Sequence, residues 1–245
     1  MRLNKFIGES GACSRREADK WIEQGRVKVN GQVAVLGTQV GPDDEVLIDG
    51  RPVGAKKRPV YIALNKPVGI TCTTDARVAG NIVEFVGFPE RIFPVGRLDK
   101  DSEGLILLTN DGDIVNGILR AQYGHEKEYI VELDRPITDL NINLLASGVR
   151  ILGVMTRPCK VWRMNQRTIR MVLTQGLNRQ IRRMCSALGY QVRRLQRVRI
   201  MNVHLGKTAV GRWRLLSDAE VKGLSRPALS KLRGIDAVRP KSGAP

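Results

Sequence analysis

The first stretch of the chain shows two segments in which apolar residues recur every three or four positions. The first has its apolar face at Leu3, Phe6 and Ile7, and Gly8 follows at once. The second begins at Ser14–Glu17, a capping box in which the serine and glutamate side chains satisfy free backbone amides. The spacing predicts two short helices at the start of the chain.

Short alternating segments come next and predict strands. Val27–Val29 and Gln32–Val35 flank Asn30–Gly31, a pair that is typical of a tight hairpin turn. Another strand is predicted at Glu45–Ile48, and the Pro, Gly and charged residues of 51–58 show no periodicity and are interpreted as a linker. We therefore predict a small N-terminal domain over residues 1–55.

Residues 59–224 mix both periods and predict a second domain, so the chain is of the α+β class. The predicted elements are strands at Val60–Leu64, Leu105–Leu108, Glu128–Leu133 and Arg167–Leu173, and helices after Asp111 and Asn178. Asn178 is the predicted cap of the second of these helices. The Pro-containing residues 225–245 are expected to form a flexible tail.

The charge of the chain is uneven. Residues 1–120 carry 17 basic and 16 acidic side chains, whereas residues 121–245 carry 24 and 8, which accounts for most of the net charge of +17. Between Asp139 and Asp218 there is no acidic residue but there are 16 basic ones. Such a stretch favours a polyanionic partner, and nucleic acid more than a membrane, because no basic amphipathic helix with an aromatic face is present.

The cysteines and histidines argue against a metal centre. The four cysteines, Cys13, Cys72, Cys159 and Cys185, are scattered without a Cys-x-x-Cys pair, and only two histidines accompany them. We expect reduced, buried thiols and no metal. The chain shows neither a leader-like apolar segment nor an apolar run of membrane-spanning length, so we expect a cytoplasmic protein.

One loop carries the clearest chemical signal. Asp99 lies in the segment Gly96–Gly112, two residues after Arg97 and just before an apolar strand. An aspartate on a loop commonly does no more than organise a turn through nearby backbone amides. Loops also present functional side chains, so both interpretations stay open on the residues alone.

The amino-acid sequence of this loop, Gly-Arg-Leu-Asp-x-x-Ser-x-Gly-Leu, resembles the first motif of the pseudouridine synthases that modify ribosomal RNA. The resemblance implies that Asp99 is the nucleophile that attacks the ribose of a uridine, whose base detaches, turns and rejoins through carbon. No cofactor is implied. It also implies a catalytic domain with a mixed, mainly antiparallel sheet and flanking helices, behind an S4 (αL-type) RNA-binding domain.

Two further motifs are implied by the same resemblance. Tyr129, in Lys127-Glu-Tyr129, matches a tyrosine that stacks on the target base. In the segment from Asn178 to Met184, Arg182 matches the basic residue that pairs with the catalytic aspartate. Arg179 stands where relatives often have histidine and is expected to contact RNA. Because the two arginines are three positions apart, we expect them on one face of a helix. On the residues alone, Arg97 is equally compatible with a salt bridge to Asp99 or Asp101. The resemblance implies that it fills the space of a flipped nucleotide or clamps its phosphate.

A larger set of basic residues is interpreted as phosphate contacts. In the S4-like segment these are Arg15, Arg16, Lys20, Arg26 and Lys28, although residues 1–50 hold seven basic and eight acidic groups. In the second domain they are Arg183, Arg193, Arg194, Arg197 and Arg199. For the last four, folding contacts to acidic residues elsewhere in the chain are an equal alternative.

The sequence thus predicts a monomeric, site-specific uridine isomerase acting on RNA. The segments Gly176–Cys185 and Arg199–Val203 are most similar to family members that act on 23S ribosomal RNA; 16S ribosomal RNA and transfer RNA stay open as substrates. Two rivals remain. One is a non-catalytic S4-type ribosome-assembly protein, and the other is a metal-dependent nuclease using Asp99, Asp101 and Glu103, which the shortage of histidine disfavours.

Overall fold

The computed structural model describes residues 1–55, 57–119 and 124–224 and divides them into two compact units. The first unit consists of Met1–Val60 together with Phe88–Ile92 and Asn110–Gly112. The second holds the remaining described residues from Tyr61 on. The predicted tail at 225–245 lies outside the described residues, and the two short returning segments of the first unit were not indicated by the sequence.

The first unit has the predicted helices and hairpin. Its elements are α1 (Leu3–Glu9), α2 (Arg15–Glu23), β1 (Val27–Val29), β2 (Gln32–Val33), β3 (Val46–Ile48) and β4 (Arg51–Pro52), with the strands in the order β2-β1-β3-β4. Ser14 Oγ accepts the Glu17 N–H at 3.1 Å, as a capping serine should. The linker interpretation was wrong for Arg51–Pro52, because these residues pair with β3.

A nine-stranded sheet forms the second unit. Its strands are β5 (Tyr61–Lys66), β6 (Phe93–Val95), β7 (Glu103–Thr109), β8 (Lys127–Leu133), β11 (Lys160–Arg163), β12 (Thr168–Leu173), β13 (Val192–Ile200), β14 (Val203–His204) and β15 (Trp213–Leu215). The order is β11-β12-β8-β13-β7-β5-β15, with β6 also on β7 and β14 on β13. The helices are α3 (Ile82–Val86), α4 (Gly112–Leu119), α5 (Asp139–Ser147) and α6 (Gln180–Ala187), and residues 218–224 are also helical.

The strand pairs confirm a mixed, mainly antiparallel sheet. Among the named strands of the described chain, only β13 and β7 pair in parallel, with Gln196 opposite Glu103 and Arg197 opposite Gly104. Gly104 has φ +100°, and a Cβ there would lie 2.7 Å from the Arg197 nitrogen and closer still to its carbonyl oxygen. The last glycine of the Gly96–Gly104 motif is therefore required for the two backbones to approach.

The two faces of the sheet differ. One face of β8, β12 and β13 packs against α5 and α6 in a core that includes Val131, Met171 and Leu195 from the strands. Burial of such side chains stabilises the unit by roughly 2 kcal/mol each. The opposite face carries charged side chains such as Glu128, which is almost fully buried between Arg170 and Arg199.

Candidate active site

The loop after β6 brings Asp99 to the mouth of a pocket. Gly96 has φ +75°, so the chain turns sharply as β6 ends. Asp99 follows with its side chain 34% exposed, and its carbonyl accepts the N–H of Ser102 at 3.0 Å. The carboxylate is therefore reachable from solvent on a backbone that is closed into a turn.

Hydrogen bonds from other segments of the chain hold this loop in place. Cys72 Sγ accepts the Leu98 N–H at 3.4 Å, and the Gly69 N–H donates to the Lys100 carbonyl at 2.8 Å. Arg197, only 3% exposed, donates to the Leu105 carbonyl at 2.7 Å and reaches the Arg97 carbonyl at 3.5 Å. Hydrogen bonds on both sides of Asp99 therefore fix the position of its backbone.

The pocket in front of Asp99 has a volume of about 550 Å³, within the range of small-molecule sites. Its wall is partly apolar and partly charged, and the charged and aromatic side chains come from four separate segments of the chain. They are Arg97, Asp99, Lys127, Tyr129, Arg179 and Arg197. The structure thus brings the three sequence motifs to one cavity.

Arg179 is the arginine nearest the carboxylate of Asp99. Its Nη1 lies 3.9 Å from Asp99 Oδ2, and the same guanidinium binds both oxygens of Asp101 at 3.0 and 2.7 Å. Its hydrogen bonds hold the pKa of Asp101 below the usual range, and the pKa of Arg179 is raised in return. Asp101 therefore stays ionised and anchors the arginine.

The expectation that Arg182 lies beside Asp99 was wrong. Arg182 Nε lies 3.4 Å from Asp101 Oδ2, and its Nη atoms donate to the carbonyls of Asp101 and Val192 at 2.7 and 3.0 Å. This arginine links α6 to the end of the Asp99 loop and to β13. Its contacts are those of a residue that positions the loop.

The backbone at the start of α6 explains why Arg179, and not Arg182, lies near Asp99. Arg179, and not Asn178, is the N-cap residue, and it adopts a left-handed conformation with φ +50°. Its side chain therefore leaves the backbone in a different direction from that of Arg182 one turn later. Asn178 instead accepts hydrogen bonds from Arg183 through its carbonyl and its side chain. Helical spacing alone had predicted that Arg179 and Arg182 share a face.

Tyr129 and Lys127 lie on β8, where alternate side chains point to the pocket face of the sheet. Tyr129 is half-buried and also packs against the apolar core, which fixes one edge of its ring. Burial lowers the pKa of Lys127, and the nearby Arg197 lowers it further. Lys127 stands two positions before Tyr129, and the sequence motif did not indicate that it lines the pocket.

Lys66 is a buried residue that the sequence did not reveal. It ends β5, is 0% exposed, and its Nζ donates to the carbonyls of Pro67 and Ile70 at 2.8 and 2.9 Å. Burial lowers its pKa, which the charges of Asp99 and Asp101 partly offset. The predicted strand ended at Leu64, and a lysine in the turn that follows would ordinarily be solvent-exposed, so no sequence signal marked Lys66.

Three of the four arginines of β13 that were predicted to contact phosphates make contacts within the fold. Arg194 pairs with Glu103 at 2.6 Å, and Arg199 with Glu126 and Glu128 at 2.9 and 2.8 Å. The buried Arg197 donates to backbone carbonyls. The alternative of folding contacts is confirmed for Arg194 and Arg199; Arg193 is exposed, and its contact with RNA stays a prediction.

In the first unit the predicted RNA-contact residues are all exposed; they are Arg15, Arg16, Lys20, Arg26 and Lys28. Arg26 is engaged by the fold, since its Nε donates to Asp49 at 3.0 Å and its guanidinium lies 4.9 Å from the Trp21 ring centre. Lys20 lies 3.7 Å from Glu17, a weak exposed pair. Arg15, Arg16 and Lys28 are exposed, and RNA binding by all five stays a prediction.

Within residues 1–55, 57–119 and 124–224, no three His, Cys, Asp or Glu side chains are grouped as metal ligands would be. Glu103 and Asp101, which the nuclease alternative requires, pair with arginines. Nor does that part of the chain contain a helix with the length and apolar character needed to cross a membrane.

Comparison with known proteins agrees with this geometry. The family model described as RNA pseudouridylate synthase matches residues 60–187, and the S4 domain model matches residues 1–46. The dual-specificity RNA pseudouridine synthase RluF of Escherichia coli K12 is 54% identical over 223 residues, 90% of this chain and 77% of the relative.

Two more distant comparisons cover nearly the whole chain. Ribosomal large subunit pseudouridine synthase B of Bacillus subtilis is 34% identical over 232 residues, 91% of this chain and 95% of the relative. A crystal structure of a pseudouridylate synthase matches with a TM-score of 0.68 at 32% identity, covering 91% of this chain and 99% of the other. The chain belongs to the RNA pseudouridylate synthase family and carries an S4 domain at its N-terminus.

Proposed function

We propose that Asp99 is the nucleophile with which this pseudouridine synthase isomerises uridine, and that its substrate is 23S ribosomal RNA. The role of Asp99 as nucleophile is supported by its position. It is a partly exposed carboxylate on a braced loop, at a pocket that also presents Tyr129 and Arg97. A carboxylate needs no partner base, because it is ionised at neutral pH.

In the proposed reaction the N1–C1′ bond of the uridine breaks and its electron pair leaves with the base. Asp99 either adds to C1′ or assists elimination across the ribose. The base then turns and C5 bonds to C1′, while the bond from Asp99 to C1′ breaks or the proton eliminated from the ribose returns. N1 takes up a proton, and the hydrogen of C5 is lost to solvent. The isomerisation therefore needs no external oxidant, reductant or cofactor.

The other pocket residues have supporting parts in this proposal. Tyr129 stacks on the uracil, and its hydroxyl is available to accept the proton from C5. Arg97 fills the space left by the flipped nucleotide or clamps its phosphate. Arg179 lies close enough to Asp99 to orient its carboxylate, and Arg182 holds the end of the loop.

The substrate assignment rests on the relatives and on the S4 domain. The Bacillus subtilis relative is named for the large ribosomal subunit, and the Escherichia coli relative is named as dual-specific. An S4 domain supplies a second RNA contact, for which Arg15, Arg16 and Lys28 are the available cations. 16S ribosomal RNA and transfer RNA remain alternative substrates, and a cytoplasmic, monomeric enzyme remains part of the proposal.

Tritium release tests the chemistry. RNA labelled at uridine C5 loses tritium to water as the new carbon bond forms, so wild-type protein should release label and Asp99→Asn should release none while still binding RNA. Asp139→Asn is the matched control, because Asp139 is an exposed acid that pairs with Arg163 outside the pocket. Equal release by wild type and Asp99→Asn would refute the role of Asp99.

The same assay separates the rivals. RNA binding without release from any ribosomal or transfer RNA would favour the non-catalytic S4-type protein, and chain cleavage abolished by a chelator would favour the nuclease. Mapping pseudouridines in cells that lack the protein would then identify the RNA. Loss of a site in 16S or transfer RNA, with 23S unchanged, would overturn the substrate assignment.

A further inference from the structure

A second groove lies beside the pocket, between α6 and a hairpin of two short strands, β9 (Arg150–Ile151) and β10 (Val154–Met155). Its volume is about 500 Å³, and its lining contains four arginines and no carboxylate. The four are Arg150, Arg179, Arg182 and Arg183. Because Arg179 also lines the pocket of Asp99, the two concavities are neighbours.

Two of the four arginines carry charge that the fold does not neutralise. Asp101 pairs with Arg179 and Arg182. Within the described residues, the side chain of Arg183 donates hydrogen bonds only to the carbonyl and side chain of Asn178. The side chain of Arg150 makes one long hydrogen bond, 3.4 Å, to the Gly153 carbonyl. Both side chains are exposed. Two exposed, unneutralised guanidinium groups at one groove suit phosphate oxygens.

The hairpin apex shows a second anomaly. Leu152 has φ +50°, a left-handed conformation that Asn, Asp or Gly ordinarily occupies in such turns, and its side chain is 54% exposed. The two-residue hairpin, in which Ile151 pairs with Val154, requires a positive φ at this position, but it does not require an exposed leucine at the rim of an arginine-lined groove. Strained residues of this kind cluster at binding sites.

We propose that this groove binds the sugar–phosphate backbone of the substrate RNA, directly beside the nucleotide that enters the pocket. Arg150 and Arg183 contact successive phosphates, and Leu152 packs against a ribose or base of the same strand. The inference rests on the proposed RNA substrate but not on the role of Asp99. It adds the β9–β10 hairpin to the RNA-binding surface.

Removing the two charges should weaken RNA binding without changing the chemistry. For Arg150→Gln with Arg183→Gln we expect KM to rise about tenfold and the salt dependence of log affinity to become shallower by about 1.4, some 0.7 for each lost phosphate contact to single-stranded RNA. We expect kcat to stay within about twofold. Arg150→Gln is also measured alone, because Arg183 has a folding contact with Asn178.

Arg167→Gln is the matched control. Arg167 is an exposed arginine in the turn between β11 and β12 and lines neither concavity, so the substitution removes the same charge elsewhere. If Arg150→Gln and Arg167→Gln change KM and the salt slope equally, the effect is one of net charge and the groove proposal is overturned.

Leu152→Asn separates binding from stability. Asparagine tolerates the left-handed conformation, so the melting temperature should stay the same or rise. KM for RNA should nevertheless rise several-fold, since the apolar contact is lost. A variant that keeps the wild-type KM overturns the part assigned to Leu152.

Failure of the groove proposal can be distinguished from failure of the role proposed for Asp99. Tritium release by Asp99→Asn would refute the role of Asp99 as nucleophile. The KM values and salt slopes of the arginine variants would still test the groove. If the wild type releases no label, the dissociation constant replaces KM. Equal affinity of Arg150→Gln and Arg167→Gln for RNA then counts against the groove in the same way.

Discussion

The guanidinium of Arg179 binds both oxygens of Asp101, and its Nη1 lies at the same time 3.9 Å from Oδ2 of Asp99. Two carboxylates thus share one cation, and the one with the shorter contacts fixes its orientation. Asp101 belongs to the loop that presents Asp99, so it aligns the arginine relative to the proposed nucleophile. Asp101, at a position that the family motif leaves open, therefore has the contacts of a positioning residue.

Asp101→Asn should therefore lower turnover more than binding. The amide keeps the size of the side chain but loses the charge that holds Arg179 and Arg182, so both arginines gain freedom. We expect kcat to fall about tenfold or more, since small displacements of catalytic groups have effects of that size, with KM nearly unchanged. Steady-state tritium release measures both quantities.

Asp139→Asn is the control for this variant as well. It should retain wild-type kcat and unfold at a similar temperature, since Asp139 is exposed. If Asp101→Asn also retains full kcat, Asp101 does not position the arginines for catalysis.

The bond from Leu98 N–H to Cys72 Sγ yields a second prediction. Burial raises the pKa of Cys72, so its sulfur is a neutral thiol. Cys72→Ala removes the acceptor and leaves a buried N–H unsatisfied, at a cost of about 1–3 kcal/mol in the free energy of unfolding. We expect kcat to fall several-fold as the loop loosens, and Cys72→Ser, which keeps an acceptor, to recover most of it. Equal kcat for the alanine and serine variants would argue against this role.

Gly104→Ala should be among the most damaging single substitutions in the second unit. The new Cβ would meet the backbone of Arg197 and the residue would need φ +100°, so the parallel pairing must open. We expect a loss of more than about 3 kcal/mol in the free energy of unfolding or a protein that does not fold. Gly112→Ala, with nothing within 4 Å and an ordinary φ, should be close to neutral in urea unfolding.

Glu220 gives a prediction for acid stability. Hydrogen bonds from Arg214, and further ones from Ser217, lower the pKa of Glu220 from 4.5 to about 2. The carboxylate therefore stabilises the fold above pH 4.5, and this contribution disappears as the pH falls toward 2. Because the pair is partly exposed, we expect Glu220→Gln to cost only about 1–2 kcal/mol at pH 7.

Unfolding of Glu220→Gln followed from pH 7 to pH 2.5 checks this. The difference from wild type should shrink below pH 4.5. Asp218→Asn, a change at an exposed acid of the same helix, should show a smaller effect at pH 7. A difference for Glu220→Gln that stays constant with pH would show that the carboxylate charge is not its source.

The sequence predicted the parts of the molecule that local physics determines. The capping serine Ser14, the Asn30–Gly31 turn and the strand at Leu105–Leu108 depend on neighbouring residues, and all are present. The partners of the arginines were not predictable in this way. Arg194 meets Glu103 and Arg182 meets Asp101 across some 80 to 90 positions, and periodicity holds no information about such contacts.

The parallel pairing of β13 with β7 has a consequence for biosynthesis. The groups that hold the Asp99 loop include Arg182 and Arg197, so the loop cannot reach its final form until Arg197 has left the ribosome. Contacts between such distant positions form slowly and late. The helices of the S4 domain can therefore form on a nascent chain well before the Asp99 loop is braced, and the proposed chemistry becomes possible only after β13 has been synthesised.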